Sequence, residues 1–449
     1  MAVRAAKIKI GAFLWPTGHH IAAWRHPKAQ IDAGVNFQHF VELARTAERG
    51  LLDLIFLADQ AAVFADAPDR LSYNSYIVRF EPLTLIAALL PATNHIGFIS
   101  TATTTYDEPY HVARRFASLD LISGGRIGWN LVTSYNPAEA QNFGRDEHLE
   151  HDARYRRGRE FAQVVKGLWD SWDDDAFTRD VKSGIFLDPS KMHVLDHKGE
   201  HFKVRGPLNV ARSPQGQPVI VQAGSSDVGR DLAAEVAEIV FTAHQSLTDA
   251  QAFYRDIKAR AALFARNPDQ VKIMPGVSIV VAPTEQEARD KFEQLQELIH
   301  PKVGLMQLSQ FIGYDLSAFP VDGPLPPLPD KVMVSSRPAL LAKLAREENL
   351  TIRQLYTRIA GTRGHWQIIG TPAQVADKLQ EWFEEEGADG FNFMPPILPG
   401  SLDDLVELVI PELQRRGLYR RAYEGTTLRD NLGLAKPARG ENSLAMQPV

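Results

Sequence analysis

HIGFISTATTTYDEPYHVARRFASLDLISGGRIGWNLVTSYNPAEAQNFG, residues 95–144, is the stretch whose reading decides the fold. It opens with an apolar run, His95 to Ser100, that stops in a cluster of hydroxyls, Thr101, Thr103, Thr104 and Thr105. A buried strand ends this way where it delivers its tip to a polar site. From Pro109 the period changes: Val112, Phe116, Leu119 and Ile122 recur at three- and four-residue steps, Arg114 and Arg115 take the other face, and Gly124-Gly125 stops the run. A second strand, Arg126 to Val132, then carries Asn130 into another polar loop. Strand, helix and strand with short connections form a βαβ unit, and in such units the loops beyond the strand C-termini carry the chemistry.

The same alternation extends in both directions. Upstream, Lys7 to Trp15 reads as a strand running into Pro16, Thr17, Gly18 and then His19 and His20; Asn36 caps a helix from Phe37 to Arg49; and Leu51 to Ala58 is a nearly continuous apolar strand that ends at Asp59. A loop from Gln60 to Phe80 precedes a helix starting at Glu81-Pro82. Downstream come an amphipathic helix from Tyr155 to Trp172, a strand from Pro218 to Ala223, and Gly224-Ser225-Ser226 leading into a helix from Asp227 to Val236. Ile239 to Thr242, Leu247 to Ala265, Lys272 to Val281 and Glu285 to Ile299 continue the pattern, and Ala388 to Met394 is the last strand. Eight strands with intervening helices predict an α/β fold of the (β/α)8 TIM-barrel type, rather than an open doubly wound sheet. The reading gives one catalytic domain over residues 1–424, interrupted by insertions at about 173–217 and 300–370, and a polar C-terminal tail over 425–449 that is expected to wrap the surface or a neighbouring subunit. The first insertion is expected to contain a hairpin around Lys198-Gly199.

Composition narrows the function classes. The chain has 449 residues, 44% hydrophobic and 23% charged, with a formal charge of −6. That balance offers no basic surface for nucleic acid. No apolar run approaches the roughly 20 residues of a membrane span, and Met1 to Lys9 lacks the apolar centre of a signal peptide. The absence of cysteine rules out disulfides, thiolate metal sites and cysteine nucleophiles, and the cytoplasm is the expected compartment.

Several separated motifs agree in order with one known family. GHHIAAWRHP at 18–27, FVELARTAERGLLDLIFLAD at 40–59, the central stretch, HDARYRRGREF at 151–161, GEHFKVRGPLNV at 199–210 and QAGSSDVGRDLAA at 222–234 resemble the nitrilotriacetate monooxygenase component A group. That group belongs to the bacterial luciferase-like flavin monooxygenases and is similar to the dibenzothiophene-sulfone and long-chain alkane monooxygenases. The resemblance spans most of Lys7 to Gly417. It implies a TIM barrel that takes reduced FMN (FMNH2) from a separate NAD(P)H:FMN reductase, binds O2, and oxygenates a small organic substrate by way of a flavin peroxide, as a homodimer or homotetramer. Carried over residue by residue, the FMN contacts fall on Asp59, Thr103 with Thr104 beside it, Asn130, His151, Tyr155, Ser225 and Ser226.

Each of these suits its role, and each also has a plainer reading. Ser225 and Ser226 stand just ahead of a helix, where free N–H groups and the dipole favour a phosphate, although an ordinary N-cap looks the same. His151 and Tyr155, four residues apart, share one helix face. Asp59, Thr103 and Asn130 lie at consecutive strand ends, where a flat polar ring finds hydrogen bonds; an isolated Asp after a strand also serves as a loop cap. His20 is the candidate catalytic residue on the substrate side, as proton donor or as orienter of the reacting oxygen. Trp15, Phe56, Tyr106, Phe311 and Phe393 are the expected pocket aromatics, whereas Arg25, Arg79 and Arg363 offer carboxylate partners.

Two metal-like patterns carry less. His197, Glu200 and His201 spell H-x-x-E-H, but Lys198-Gly199 interrupts the helix that a zinc site needs, and His148 with His151 lacks a third ligand, so no metal is expected. No strand is followed by G-x-G-x-x-G, which argues against a Rossmann-type nicotinamide site. A deazaflavin F420-dependent oxidoreductase of the same superfamily and a non-catalytic flavin-binding protein are the alternatives.

Overall fold

The computed structural model describes residues 6–63, 71–329, 336–362 and 364–440. Its strands are β1 (Lys9–Phe13), β2 (Leu54–Leu57), β3 (Gly97–Thr103), β4 (Ile127–Val132), β5 (His197–Lys198), β6 (Lys203–Val204), β7 (Val219–Gln222), β8 (Ile239–Thr242), β9 (Lys272–Val281), β10 (Trp366–Gly370) and β11 (Gly390–Phe393). Eight of them run in the order β1-β2-β3-β4-β7-β8-β9-β11, every pairing is parallel, and β11 pairs back onto β1, so the sheet closes into a barrel. These are the eight strands expected from the sequence.

The helices that cover the barrel include α1 (Phe37–Arg49), α2 (Pro82–Leu89), α3 (Pro109–Ile122), α4 (His151–Trp169), α5 (Asp227–Val236), α6 (Leu247–Leu263) and α7 (Glu285–Glu297), with Pro372–Glu384 and the helical run over residues 400–415 completing the layer. Their starts are written locally. The Asn36 side chain accepts from His39 N, Glu81 accepts from the N–H groups of Leu83 and Thr84, and Thr284 with Glu287 forms a capping box. Among the described residues no helix is long and apolar enough to cross a membrane.

Alternation along the strands separates two cores. On β3, Phe98 and Ala102 face outward into a layer that includes Phe116, Trp129, Phe161 and Trp169, while Ile99 faces the lumen with Leu54, Phe56, Val219, Val221, Ile239 and Met274. Thr101 and Thr103 continue the Ile99 face upward, so the inner wall changes from apolar to hydroxyl toward the mouth. The lumen is tight: a Cβ on Gly128 would stand 2.4 Å from Ile99 Cδ1 and 2.7 Å from the Val219 carbonyl oxygen.

Three features differ from the sequence expectation. First, the segment read as a surface tail seals the barrel floor. A helix at Leu428–Leu432 places Leu428 and Leu432, with Leu434 beyond it, at 0–5% exposure in the lumen core, and a Cβ on Gly97 would meet Leu428 Cδ1 at 2.4 Å. Burying each leucine contributes about 1.5–3 kcal/mol, which is why three apolar residues in a polar run fix its position. Ion pairs Arg420–Asp53 and Arg429–Glu238 tie the same floor. Second, the span read as the 300–370 insertion contains a ninth parallel strand, β10, which pairs with Val277–Val281 of β9. It is only partly buried, so it lacks the continuous apolar signature of the others. Third, helices α8 (Pro301–Ile312), α9 (Ser336–Glu347) and α10 (Ile352–Ala360) form a lobe with its own core, in which Val303, Leu308, Ile312, Leu355 and Tyr356 pack with Ile21 and Ala22 from the β1 loop.

The first insertion contains the expected hairpin, β5 against β6, antiparallel. Glu160 of α4 secures it by accepting from His197 Nε2 and from the backbone N–H groups of His201 and Phe202, each at 2.9 Å. The H-x-x-E-H residues therefore lie on a hairpin and not on one face of a helix.

Candidate active site

The barrel topology gathers the loops after β1, β2, β3, β4 and β7 at one end, and His20, Asp59, Thr103, Asn130, Ser225 and Ser226 lie at or just beyond the ends of those strands. Its apolar wall comes from inward residues of the strands. Phe13 sits edge-on to Phe56 and Phe241 with ring centroids at 4.9 and 5.8 Å, and Trp15 is 6.2 Å from Phe13. Of the other expected aromatics, Phe393 belongs to the outer core and Phe311 packs on the helical lobe. Tyr106 stands at the rim, stacked 4.8 Å from Phe143, with its hydroxyl 2.5 Å from His148 Nδ1.

Beyond β7 the loop at residues 224–226 leads into the N-terminus of α5, a position that favours an anion. Ser226 caps α5 by accepting from Gly229 N at 3.3 Å. A Cβ on Gly229 would stand 3.0 Å from Tyr155 Oη, Ser226 Oγ and Gly224 Cα alike, so glycine is what lets the two hydroxyls and the loop converge. The first N–H groups of α5 and its dipole add to that preference. His151 begins α4 with its ring 4.8 Å from Tyr155, half-exposed, and its Nδ1 lies 2.9 Å from Asp152 Oδ1. Ser225 is exposed beside the cap, its carbonyl accepting from Arg230 Nε. Ser226 is thus an N-cap in fact, with Tyr155 Oη and the first N–H groups of α5 beside it.

Next to it, on the neighbouring strands β4 and β3, is a corner of hydroxyls and amide. Thr101 donates its hydroxyl to the Leu57 carbonyl at 3.1 Å, so it accepts from Asn130, whose Nδ2 is 2.8 Å away. This orients the Asn130 amide and leaves Oδ1 buried with no protein partner. An acceptor stranded in this way costs about 1–3 kcal/mol until something donates to it. Thr103 contacts Ser134 Oγ at 2.9 Å, and Ser134 donates to Glu139 at 2.7 Å. Thr104 is fully buried and gives its hydroxyl to the Val132 carbonyl beneath Gly158 of α4, so of the two adjacent threonines Thr103 is the one at the mouth.

Asp59 accepts from Arg79 Nε at 3.2 Å, and the guanidinium lies 4.8 Å over the Trp15 ring while donating to the carbonyls of Tyr76 and Gln60. Arg79 is therefore committed to the wall of the site. Arg25 donates to the Leu298 carbonyl on the surface, and Arg363 lies outside the described residues.

His20 is 1% exposed between the mouth and the lobe. Its Nδ1 accepts from Ala22 N at 3.2 Å, which puts the proton on Nε2, 3.4 Å from Gln296 Oε1 of α7. Burial pushes the imidazole down to about 4, only partly opposed by Gln296. The ring is neutral at neutral pH, and its one N–H is directed at Gln296 Oε1. His19 is held at Phe13, with Nε2 2.9 Å from the carbonyl oxygen.

Ser134, Glu139, Gln296 and Phe241 were not singled out from the sequence. Asn136-Pro137 marks a turn that draws attention to Ser134, but the burial of Glu139 and the reach of Gln296 to His20 have no sequence signal. Among the described residues no group of three or more His, Asp or Glu is placed to hold a metal.

The family model for the luciferase-like monooxygenases matches residues 13–390. The chain is 53% identical to N-acetyl-S-(2-succino)cysteine monooxygenase of Bacillus subtilis (strain 168), over 97% of this chain and 99% of that protein. It is 52% identical to nitrilotriacetate monooxygenase component A of Aminobacter aminovorans, over 98% of each. The crystal structure of a long-chain alkane monooxygenase superposes with a TM-score of 0.84 at 36% identity, covering 96% of each chain. The chain belongs to the luciferase-like monooxygenase family and is a flavin-dependent monooxygenase.

Proposed function

We propose that the chain is the oxygenase of a two-component system, receiving reduced FMN from a separate NAD(P)H:FMN reductase and transferring one oxygen atom of O2 to a small organic substrate. Its cofactors are reduced FMN and O2. The name of the relative called component A supports a separate partner. The observation that carries the reading is the pairing of two unlike ends in one mouth: an anion cradle at Ser226, Gly229 and Tyr155, and a flat polar corner where Asn130 Oδ1 waits for a donor. FMN has a phosphate at one end and a ring bearing N–H groups at the other, and these residues fit both.

Ser225, Ser226, Tyr155 and His151 would hold the phosphate, and Asn130, Thr103 and Asp59 the ring. Reduced FMN supplies the two electrons that activate O2, the second oxygen atom leaving as water. The protein contributes position and exclusion of water. Asn130 accepts from a ring N–H, and Arg79 fixes the Asp59 carboxylate. His20 stays neutral, with Gln296 Oε1 holding its one N–H in place at the substrate side. The aromatic wall of Phe13, Trp15, Phe56 and Phe241 accepts the apolar part of a substrate, and the lobe closes the side nearest His20.

The test is to mix the purified chain anaerobically with photoreduced FMN, add oxygen, and follow the flavin spectrum by stopped flow. Reoxidation slower than that of free reduced FMN, in more than one phase, is the expected result. Reoxidation at the rate of free flavin, with no binding even when a reductase is supplied, would remove the FMN assignment and point to deazaflavin.

A further inference from the structure

Ser134 stands at φ +53°, a left-handed conformation that a serine keeps only where its surroundings hold it. It is 9% exposed, and its hydroxyl donates to Glu139 Oε2 at 2.7 Å. Glu139 is 4% exposed on the short helix Ala138–Asn142. Burial pushes its carboxyl up, opposed by the hydrogen bond from Ser134; Asp59 adds to the rise and Arg79 counters it. On the other side of Ser134, Thr103 Oγ1 is 2.9 Å away, and Thr103 also accepts the backbone N–H of Thr105 at 3.1 Å.

A hydroxyl has one hydrogen and two lone pairs. Because Ser134 spends its hydrogen on the carboxylate, the contact with Thr103 is made by the Thr103 hydrogen. Thr103 therefore has no hydrogen left to offer at the mouth. It retains one lone pair, on the inward face of β3.

We infer that Ser134 and Glu139 are positioning residues that fix Thr103 as a hydrogen-bond acceptor toward the flavin ring, so that the site selects the reduced ring over the oxidised one. The inference rests on the FMN reading above. Reduction turns N5 of the ring from a lone-pair acceptor into an N–H donor. An acceptor opposite it gains a hydrogen bond with the reduced form and faces a lone pair in the oxidised form. An oxygenase that borrows its flavin gains from this asymmetry, since spent FMN is released to the reductase.

The experiment is anaerobic titration of photoreduced FMN, and parallel titration of oxidised FMN, into the wild-type chain and the variants Ser134→Ala, Thr103→Ser and Glu139→Gln. Wild type is expected to prefer reduced FMN. In Ser134→Ala the Thr103 hydroxyl turns freely and donates, and the preference narrows about tenfold. Thr103→Ser keeps a hydroxyl that donates to Ser134, and with it the relay and the preference; Glu139→Gln falls between, because an amide oxygen accepts more weakly than a carboxylate. Should Ser134→Ala fail to fold, Glu139→Gln against Thr103→Ser reads the same polarity. Equal weakening of both flavin forms, or an unchanged ratio, means a merely structural role and overturns the inference while the FMN reading stands. Failure of the wild type to bind either form overturns both.

Discussion

The two ends of this barrel solve opposite problems with different chemistry. At the floor, full charges are buried and cancelled in place: Arg420 lies against Asp53, Arg429 against Glu238, and Leu428, Leu432 and Leu434 fill the space between. At the mouth the groups on the strands themselves are neutral, threonine hydroxyls and the Asn130 amide, beside an uncharged His20 and the Asp59–Arg79 pair in the wall. One of them, Asn130 Oδ1, has no protein partner. What the floor leaves over are donors on groups whose charge is already cancelled, Arg420 Nη1 and Arg429 Nε, whereas the mouth holds an acceptor that a donating ligand satisfies. Stability and function are thus separated along one axis.

Substitution at each end tests the separation. The largest expected effect is Arg420→Met, which leaves the buried Asp53 carboxylate without its main partner and should destabilise the fold by about 3–5 kcal/mol. Denaturant unfolding reads this, and the affinity of the remaining folded protein for reduced FMN should not change. A loss of affinity on the same scale would show the two ends to be coupled.

The next is a pH effect. The His20 imidazole lies at about 4 in the fold against an ordinary 6.5. Between those values the unfolded chain binds a proton that the folded chain does not, so this contribution is fully present above pH 6.5 and is lost as pH falls toward 4. It amounts to about 3 kcal/mol. Asp120, pushed up to about 6 by burial, acts in the opposite sense, gaining stability as pH falls. Both proteins retain it, so it drops out of the difference between wild type and His20→Gln. The wild type should lose stability more steeply than His20→Gln over pH 6.5 to 4; parallel curves would show that His20 is protonated in the fold.

The smallest of the three is Ser226→Asp. Aspartate caps a helix as well as serine does, so melting should be unchanged, but its carboxylate occupies the anion cradle. Affinity for reduced FMN should fall about 100-fold, or about 2.7 kcal/mol, and affinity for riboflavin, which lacks the phosphate, should fall far less. Equal losses for both ligands would move the phosphate elsewhere.

The barrel strands were legible because each is apolar on both faces and ends abruptly in polar residues; β3, from Gly97 to Thr103, shows this most clearly. β10 was not, since the Trp366–Gly370 run is half-buried and lies against only the upper part of β9. Leu428 and Leu432 make a single helical step, too brief a rhythm to compete with the polar residues around them, and Leu434 lies beyond the helix. In the site, positions at strand ends were readable, while hydrogen-bond partners were not. Thr103 and Thr104 are chemically identical neighbours, separated only by the inward face that Ile99, Thr101 and Thr103 share. The burial of Glu139 depends on what the barrel brings over it, which no local pattern encodes.

The leucine plug also sets an order of events during synthesis. β1 at residue 9 cannot be closed into the barrel until β11, near residue 390, has emerged, and the lumen stays open below until residues 428–434 follow. Early segments can form βαβ units as they leave the ribosome, but the inner faces of Leu54, Ile99, Val219 and Ile239 must wait. The interior over which the flavin is to sit is the last part of the molecule to become dry.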